Sequence, residues 1–313
     1  MLFSKSPRAA ANAVWVLSLF LLLQSSPAAW AEKPRQVSFT TWDDVAISAD
    51  YVAPKPQAGA APIAILLHMY RSDRSAYAPL LGPLHDAGFA VLAIDMRGHG
   101  KSATAELAAR VRARDTAVFE EMKQDVRAAY DWLAKQDGVD RSRFALVGAS
   151  VGCSVALRYA AADRSVDAIV CLSPGLNYLG LDSKTDMERI SGRRMWFVAS
   201  TREAGASRTL AKLGASKVDV QGKGRGHGTN LFAELPDLPT EIARFLHDAV
   251  GPRSDEVCYG SIRSKVYHLS GSGWIEKIKP TNLRHYSSPE EAKSRGLRES
   301  KTRGPNDKPW EKP

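Results

Sequence analysis

The stretch Phe144-Ala145-Leu146-Val147-Gly148-Ala149-Ser150-Val151-Gly152 decides the fold of this chain. Its first half is a short apolar run, typical of a buried strand, and the small apolar residues that follow Ser150 are typical of a helix pressed against a sheet. The pattern G-x-S-x-G therefore falls between a strand and a helix. There, a sharp turn lifts the serine hydroxyl clear of the sheet edge. The alternative is a packing turn whose serine has no chemical role.

Outward from this turn, short apolar runs alternate with segments of helical period, which predicts a doubly wound, mostly parallel α/β sheet. Two alternating segments at the start predict an antiparallel hairpin over residues 36–41 and 45–52. The predicted strands that follow cover residues 63–68, 90–95, 144–148, 168–172, 195–200 and 217–220. The predicted helices cover residues 76–87, 119–136, 153–161, 206–213 and 239–250. Only about twenty residues separate the strands at 168–172 and 195–200, which predicts a loop there and no cap domain.

A serine is a weak nucleophile at neutral pH, so it needs a histidine base and a carboxylate that orients the base. His227 follows the last predicted strand and stands between glycines in Gly226-His227-Gly228. Glu203 follows the strand at residues 195–200 and is the first candidate for the acid. Asp182 follows the preceding strand and is the alternative acid. The competing interpretation of each is a solvent-exposed side chain.

Two backbone N–H groups are expected to stabilise the oxyanion that forms when a serine attacks a carbonyl. One is the N–H of Val151, and the other belongs to Met69 or Tyr70 in the loop after residues 63–68. Gly100-Lys101-Ser102 resembles the end of a phosphate-binding loop, but Asp95 stands where its first glycine is needed. We therefore predict no nucleotide site, no cofactor and no metal.

Four stretches in order resemble the α/β-hydrolase superfamily: Leu66-Leu67-His68-Met69, residues 93–102, residues 148–152 and Gly226-His227-Gly228. The resemblance covers roughly residues 37–250 and is closest to the lidless branch of dienelactone-hydrolase-like and esterase-like proteins. It implies structural roles for Asp95 and His99. Dienelactone hydrolases use a cysteine nucleophile where this chain has Ser150, which favours ester hydrolysis.

Beyond residues 251–254, the predicted secondary-structure segments are short, and the sequence is polar and basic. Three of its stretches resemble the small zinc-binding module of Ada-type DNA-repair proteins: residues 264–268, 278–283 and 288–298. That module holds its metal with thiolates, at positions that are Ser272, Ser300 and Arg303 here. The resemblance therefore implies a module that has kept its shape and lost its metal.

The N-terminus has the features of an export signal, since Lys5 and Arg8 precede an apolar run at residues 14–23 and then Ala29-Trp30-Ala31. The run is short for a membrane span. We expect cleavage after Ala31 and a periplasmic or secreted protein; the competing interpretation is an uncleaved anchor. The predicted organisation is a leader at 1–31, a catalytic domain at 32–253, a small α+β module at 254–303 and a disordered tail at 304–313.

Composition limits the partners and the redox chemistry. The net charge of +9 is spread along the 313 residues, which is compatible with anionic partners but specific for none. Three cysteines (Cys153, Cys171, Cys258) are too few for a disulfide framework, although a Cys153–Cys171 bridge is left open.

The leading hypothesis is an exported serine hydrolase that cleaves small carboxylic esters through an acyl-enzyme, with amides or thioesters as the nearest variant substrates. The first alternative is a non-catalytic α/β-hydrolase scaffold. The second is a protein that binds nucleic acid or an anionic envelope polymer through its C-terminal module. The sequence does not indicate an oligomeric state.

Overall fold

A computed structural model of the chain describes residues 33–56, 60–250, 258–269, 272, 274–279, 282–286 and 289–300. The predicted leader at residues 1–31, the predicted tail at 304–313 and Arg303 lie outside the described residues. Within the described part of the chain, no helix is long and apolar enough to cross a membrane.

The described residues up to position 250 form an eight-stranded sheet and a small separate hairpin. In chain order, the strands are β1 (Arg35–Thr40), β2 (Ala46–Val52), β3 (Ala61–Leu67), β4 (Ala90–Ile94), β5 (Val139–Ala149), β6 (Val166–Leu172), β7 (Asn177–Tyr178), β8 (Leu181–Asp182), β9 (Ser191–Ala199) and β10 (Ala215–Gly222). The large sheet has the order β1-β2-β4-β3-β5-β6-β9-β10. Strands β1 and β2 form an antiparallel hairpin and β2 pairs antiparallel with β4, whereas the strands from β4 to β10 in this order run parallel. The predicted fold class is confirmed.

Helices flank the sheet in two layers. They are α1 (Ala78–Asp86), α2 (Ala105–Arg112), α3 (Thr116–Leu133), α4 (Val151–Ala162), α5 (Ser183–Arg189), α6 (Ala204–Leu213), α7 (Leu231–Glu234) and α8 (Leu238–Val250). Helix α1 contacts α8, while α3, α4, α5 and α6 contact one another in turn. The five predicted helices correspond to α1, α3, α4, α6 and α8. Helix α2 was not predicted because only Val111 of its residues is buried, so it lacks a strong apolar stripe.

The centre of the sheet explains why its strands are apolar without alternation. All seven residues of β3 are buried, as are the last six residues of β5, at 144–149. A parallel strand covered by helices on both faces has no solvent side, so polar residues find no place in it. The carboxyl ends of these strands meet at one edge of the sheet, and residues that follow different strands are brought together there.

The segment between β6 and β9 differs from the predicted loop. It forms the β7–β8 hairpin and helix α5, with Leu181 and Met187 fully buried. Asp182 starts α5, since its carboxylate accepts hydrogen bonds from the Lys184 N–H at 3.0 Å and the Thr185 hydroxyl at 2.9 Å. Local capping and a few buried apolar side chains thus order a segment whose sequence has too little periodicity to predict it.

The C-terminal residues that the structure describes form a second sheet. Its elements are β11 (Cys258–Ser261), β12 (Val266–Leu269), β13 (Leu283–Tyr286), α9 (Pro289–Ser294) and β14 (Arg298–Glu299), with the strand order β13-β11-β12-β14. Cys258, Tyr267, Tyr286 and Ala292 form its small core, and β13 lies against β9 of the large sheet. In this part of the structure, no His, Cys, Asp or Glu side chains group in a way that could hold a metal ion.

We expect Gly152→Ala to lower the free energy of unfolding by about 2 kcal/mol, because a Cβ at this position would collide with the backbone carbonyls of Leu67 and His68. Backbone cannot yield as a flexible side chain can. The matched control is Gly205→Ala in α6, where a Cβ meets nothing within 4 Å, and stability should rise by up to about 1 kcal/mol. Urea unfolding measures both, and equal stabilities of the two variants would contradict the close contact.

Candidate active site

Ser150 occupies a strained turn at the carboxyl end of β5. Its φ of 52° and ψ of −116° lie in a region that side chains other than glycine seldom adopt. The Ser150 N–H donates to the Leu172 carbonyl at 2.8 Å, which ties the turn to the end of β6. Helix α4 begins at the next residue, Val151, so its free N-terminal N–H groups lie beside the serine. Ser150 itself is nearly buried, at 7% exposure.

His227 and Glu203 come together after β10 and β9. The Nδ1 atom of His227 lies 2.8 Å from Oε1 of Glu203. A carboxylate can only accept, so Nδ1 carries the hydrogen and Nε2 is left as the acceptor of the neutral ring. Both side chains are a little over one-third exposed. The other carboxylate oxygen of Glu203, Oε2, is buried and has no hydrogen-bond partner in the described part of the chain. The contact with His227 is therefore made by Oε1 alone.

Asp182, the alternative acid, lies elsewhere. Its carboxylate caps α5, and the hydrogen bond from Thr185 lowers the pKa of Asp182. The structure therefore brings Glu203 to His227 and leaves Asp182 at a helix terminus. The choice between Glu203 and Asp182 as the partner of His227 depends on which residue caps α5. The order of residues along the chain does not reveal that.

The loop after β3 is held by a buried histidine that sequence reasoning quoted but gave no role. His68 donates from Nδ1 to the Met69 carbonyl at 2.8 Å and accepts at Nε2 from the Met96 N–H at 3.0 Å. Burial, with a smaller contribution from His99, lowers the pKa of His68 to about 3, so the ring is neutral at pH 7. A neutral ring is the form that can donate at one nitrogen and accept at the other.

Both candidates for the second oxyanion donor lie on this loop. Among the described residues, no acceptor pairs with the N–H of Met69, Tyr70 or Val151. The Met69 sulfur lies 3.8 Å from the Thr229 hydroxyl, which places Met69 against the His227 loop. The Tyr70 hydroxyl instead donates to the Val111 carbonyl at 3.3 Å. Free N–H groups beside a serine are what an oxyanion site requires.

Two further residues at the site were missed by sequence reasoning. The fully buried Ser173 follows β6, and its hydroxyl accepts from the Gly228 N–H at 3.0 Å. Tyr178, on the β7–β8 hairpin, sets its ring edge-on to His227 at 6.2 Å between centroids. Burial raises the pKa of Tyr178 to about 12, and a hydrogen bond with Ser150 opposes that rise. Ser173 directly follows a predicted strand, so its position at the site edge could have been predicted from the sequence. Nothing in the sequence indicated Tyr178.

The cysteines are free thiols and buried. Cys153 lies below the serine turn, with its sulfur 3.2 Å from the Gly148 carbonyl and 3.3 Å from that of Leu172. Burial raises the pKa of the Cys153 thiol, so the nucleophilic thiolate form is disfavoured. The bridge to Cys171 that the sequence left open is not formed.

Asp95 and His99 serve the structure around the site. The buried Asp95 carboxylate pairs with Arg74 and accepts from the Lys101 N–H at 2.7 Å. That N–H would belong to the phosphate cradle in a nucleotide-binding loop, and here the chain's own carboxylate occupies it. His99 packs its ring against His68 at 4.9 Å.

A family model described as serine aminopeptidase, S33, matches residues 60–202. A curated protein of Mycobacterium tuberculosis, described as uncharacterised, is 33% identical over 140 residues, which is 45% of this chain and 45% of that protein. A 31.7 kDa Escherichia coli protein from the traX-finO intergenic region is 32% identical over 110 residues, 35% of this chain and 36% of that one. The chain thus matches less than half the length of these curated relatives.

Solved structures share the fold at low identity. An esterase of Pyrococcus furiosus is 20% identical, with a TM-score of 0.57, over 79% of this chain and 100% of its own. Dienelactone hydrolase from Anabaena variabilis is 18% identical, with a TM-score of 0.55, over 70% of this chain and 97% of its own. An acetyl xylan esterase from Paenibacillus sp. R4 is 18% identical, with a TM-score of 0.55, over 68% of this chain and 83% of its own.

The strand order and these structural matches show that the chain has the α/β-hydrolase fold, which the dienelactone hydrolase and the esterases share. The predicted fold is therefore confirmed for the residues of the large sheet.

We expect Ser173→Ala to lower the free energy of unfolding by about 1–3 kcal/mol, because the buried Gly228 N–H loses its acceptor. Ser207→Ala is the matched control. Ser207 is equally buried, but its hydroxyl has no hydrogen-bond partner among the described residues, so its loss should cost almost nothing. Denaturant unfolding of the two variants measures the difference, and similar losses in both would contradict the role given to Ser173.

His68 makes folding stability dependent on pH. Its folded pKa of about 3 lies below the unfolded value of 6.5, so the unfolded chain alone binds a proton between these limits. Its contribution is therefore complete above pH 6.5 and is lost by up to about 1.4 kcal/mol per pH unit as the pH falls towards 3. In unfolding titrations, His68→Asn should flatten this slope by one proton, whereas His247→Asn, at an exposed position, should leave it unchanged. Identical slopes in all three proteins would contradict a neutral buried His68.

Proposed function

We propose that this chain is a serine hydrolase that cleaves small carboxylic esters through an acyl-enzyme, with Ser150 as nucleophile, His227 as base and Glu203 as the orienting acid. The observation that carries the proposal is the 2.8 Å contact of His227 Nδ1 with Glu203, because it leaves Nε2 to accept a proton. In the proposed site, the hydroxyl of Ser150, which stands on the strained turn, donates the proton that His227 Nε2 accepts. Strain of this kind is typical of the turn that lifts a nucleophilic serine above the carboxyl edge of the sheet.

Two neighbours support the pairing of Ser150 with His227. Gly228 lies close enough to Ala149 that a side chain at position 228 would touch it, so the residues flanking the histidine and the serine adjoin. Tyr178 adjoins both loops, since its ring meets the His227 ring edge-on and its hydroxyl donates to the Ser173 carbonyl at 3.3 Å.

In the proposed mechanism, His227 Nε2 takes the hydroxyl proton as the Ser150 oxygen attacks the ester carbonyl. The resulting oxyanion accepts hydrogen bonds from Val151 and from Met69 or Tyr70. The same proton then passes to the leaving alcohol, and the acyl group stays on Ser150. A water molecule, deprotonated by His227, attacks the acyl-enzyme and releases the acid.

Peptide bonds are the second candidate substrate, and the matching family model, described as a serine aminopeptidase, is the observation that favours them. The same residues would serve both reactions, and the leaving group would be an amine. Short acyl groups suit the segment between β6 and β9, which holds a small hairpin and one short helix. The predicted leader makes the periplasm or the exterior the proposed location.

We expect a fluorophosphonate probe to modify the wild-type protein at Ser150 and to leave Ser150→Ala and His227→Ala unlabelled. Glu203→Gln should slow the labelling by about 10²- to 10⁴-fold, because it removes the charge that favours the protonated imidazole. Rates are followed on gels, and the modified residue is identified by mass spectrometry.

Asp182→Asn is the matched control for Glu203→Gln, since it changes the same functional group at the start of α5 and should label within about twofold of the wild type. Equal effects of the two carboxylate variants would sink the assignment of Glu203. A folded wild type that stays unlabelled would overturn the hydrolase proposal. Initial rates on p-nitrophenyl butyrate and on aminoacyl p-nitroanilides then separate esterase from aminopeptidase activity.

A further inference from the structure

A cleft of about 1000 Å³ lies between the edge of the large sheet and the C-terminal sheet. Strands β9 and β10 and the end of α8 form one wall, and the C-terminal strands with the turn after α9 form the other. The cationic residues that line it are Arg193, Arg194, Lys217, Lys265, Arg284 and Arg295. We call this set the basic cleft.

The basic cleft lies far from Ser150. Gly192 and Arg193 are at the amino end of β9 and Ser216 is at the amino end of β10, whereas Glu203 and His227 follow the carboxyl ends of these strands. A strand of this length separates the two edges by roughly 25 Å. The basic cleft is therefore a different site from the candidate active site, and its role does not depend on the proposed hydrolysis.

The charge of the basic cleft is strongly unbalanced. Among the described residues that line it, Asp248 is the single carboxylate. Arg194 donates to the backbone carbonyl of Asp248 at 2.7 Å, and Arg284 donates to the carbonyl of Leu283 at 2.9 Å. Within the described part of the chain, neither these two arginines nor Lys217 forms an ion pair with a carboxylate. Positive charges at close range repel one another unless an anion joins them.

Arg193 shows that the fold holds a positive charge in the wall of the basic cleft. It is only 7% exposed, and its guanidinium donates to the backbone carbonyls of Val166 at 3.0 Å, Ser191 at 2.9 Å and Asp163 at 3.0 Å. These neutral partners satisfy its hydrogen bonds and leave its charge unneutralised at contact distance. Burial accordingly lowers the pKa of Arg193. Asp167 and Asp163 oppose this shift through their charges, but neither forms a described ion pair with Arg193, so an anion in the cleft would stabilise the buried charge further.

The remaining lining indicates the kind of anion. The hydroxyls of Ser216, Ser261 and Ser264 add donors, and glycines leave room along the walls. Among the described lining residues Tyr286 is the one aromatic side chain, and it is only 8% exposed because it belongs to the core of the C-terminal sheet. Bases of a single strand need exposed aromatic faces on which to stack, whereas phosphates need only charge and donors.

We infer that the basic cleft binds an extended phosphate-bearing polyanion through its phosphates, without reading bases. Several cationic groups spread along a cleft of this volume suit a chain of phosphates better than a single small anion. Such a contact would hold the proposed hydrolase on an anionic polymer while the opposite edge of the sheet remains open.

The test measures binding of a fluorescein-labelled, mixed-sequence 12-nucleotide DNA strand to the full-length chain by fluorescence anisotropy, with inorganic polyphosphate as competitor. We expect binding that weakens with salt and that polyphosphate abolishes. The variant Lys217→Gln/Lys265→Gln/Arg284→Gln should bind at least about tenfold more weakly. Its slope of log K against log salt should be smaller by about 2, since about 0.7 ions per lost phosphate contact are no longer released.

The matched control is Arg112→Gln/Arg208→Gln/Lys212→Gln, which removes the same charge from exposed faces of α2 and α6. It should keep wild-type affinity, and circular dichroism should show both triple variants folded. Equal losses in the two triples would mean that only net charge matters, and would overturn the site. Wild-type binding by the cleft triple would overturn it too. If polyphosphate fails to compete with the DNA, recognition through phosphates alone is wrong.

Discussion

The close contact between the start of α4 and the end of β3 is the constraint on which this structure depends. Gly152 has no side chain, so the helix can approach the carbonyls of Leu67 and His68. Gly148 faces the backbone of Gly152 in the same way, which lets β5 turn sharply into the helix. This approach sets Ser150 beside the Met69 loop, and it holds the serine at a φ of 52° that an isolated chain would avoid.

The rest of the site is assembled by strands that end at one edge of the sheet. Each parallel strand delivers one element over a short loop, and a few hydrogen bonds join these loops across the edge: Ser150 to Leu172, Ser173 to Gly228, and Glu203 to His227. The relative positions of the candidate catalytic groups therefore follow from strand register. The buried, neutral His68 fixes the loop after β3 by two hydrogen bonds of its ring, one to the Met69 carbonyl and one from the Met96 N–H. Rigid strands and helices thus hold the candidate catalytic groups in fixed relative positions, as catalysis requires.

The opposite edge of the sheet has a different character. There the C-terminal sheet packs beside β9, and positive side chains from both parts face a common cleft. Arg193 is buried among backbone carbonyls, and no carboxylate of the described residues forms an ion pair with it, which is an unfavourable arrangement for a charge that has no function. The two edges divide the surface between a proposed chemical site and a proposed anchoring site. Neither needs the other in order to form.

The sequence by itself determined the fold class and the strands of the large sheet, and it predicted that Ser150 and His227 follow two of those strands, because hydrophobic period and glycine spacing are local signals. It left the acid open between Glu203 and Asp182, and it predicted a loop where the β7–β8 hairpin and α5 lie. Only the tertiary structure decided which carboxylate meets His227, since Asp182 is occupied by the cap of α5. The basic cleft is also a tertiary property. It joins Arg193 to Arg284, and residues so far apart in the chain meet only when separate sheets pack together.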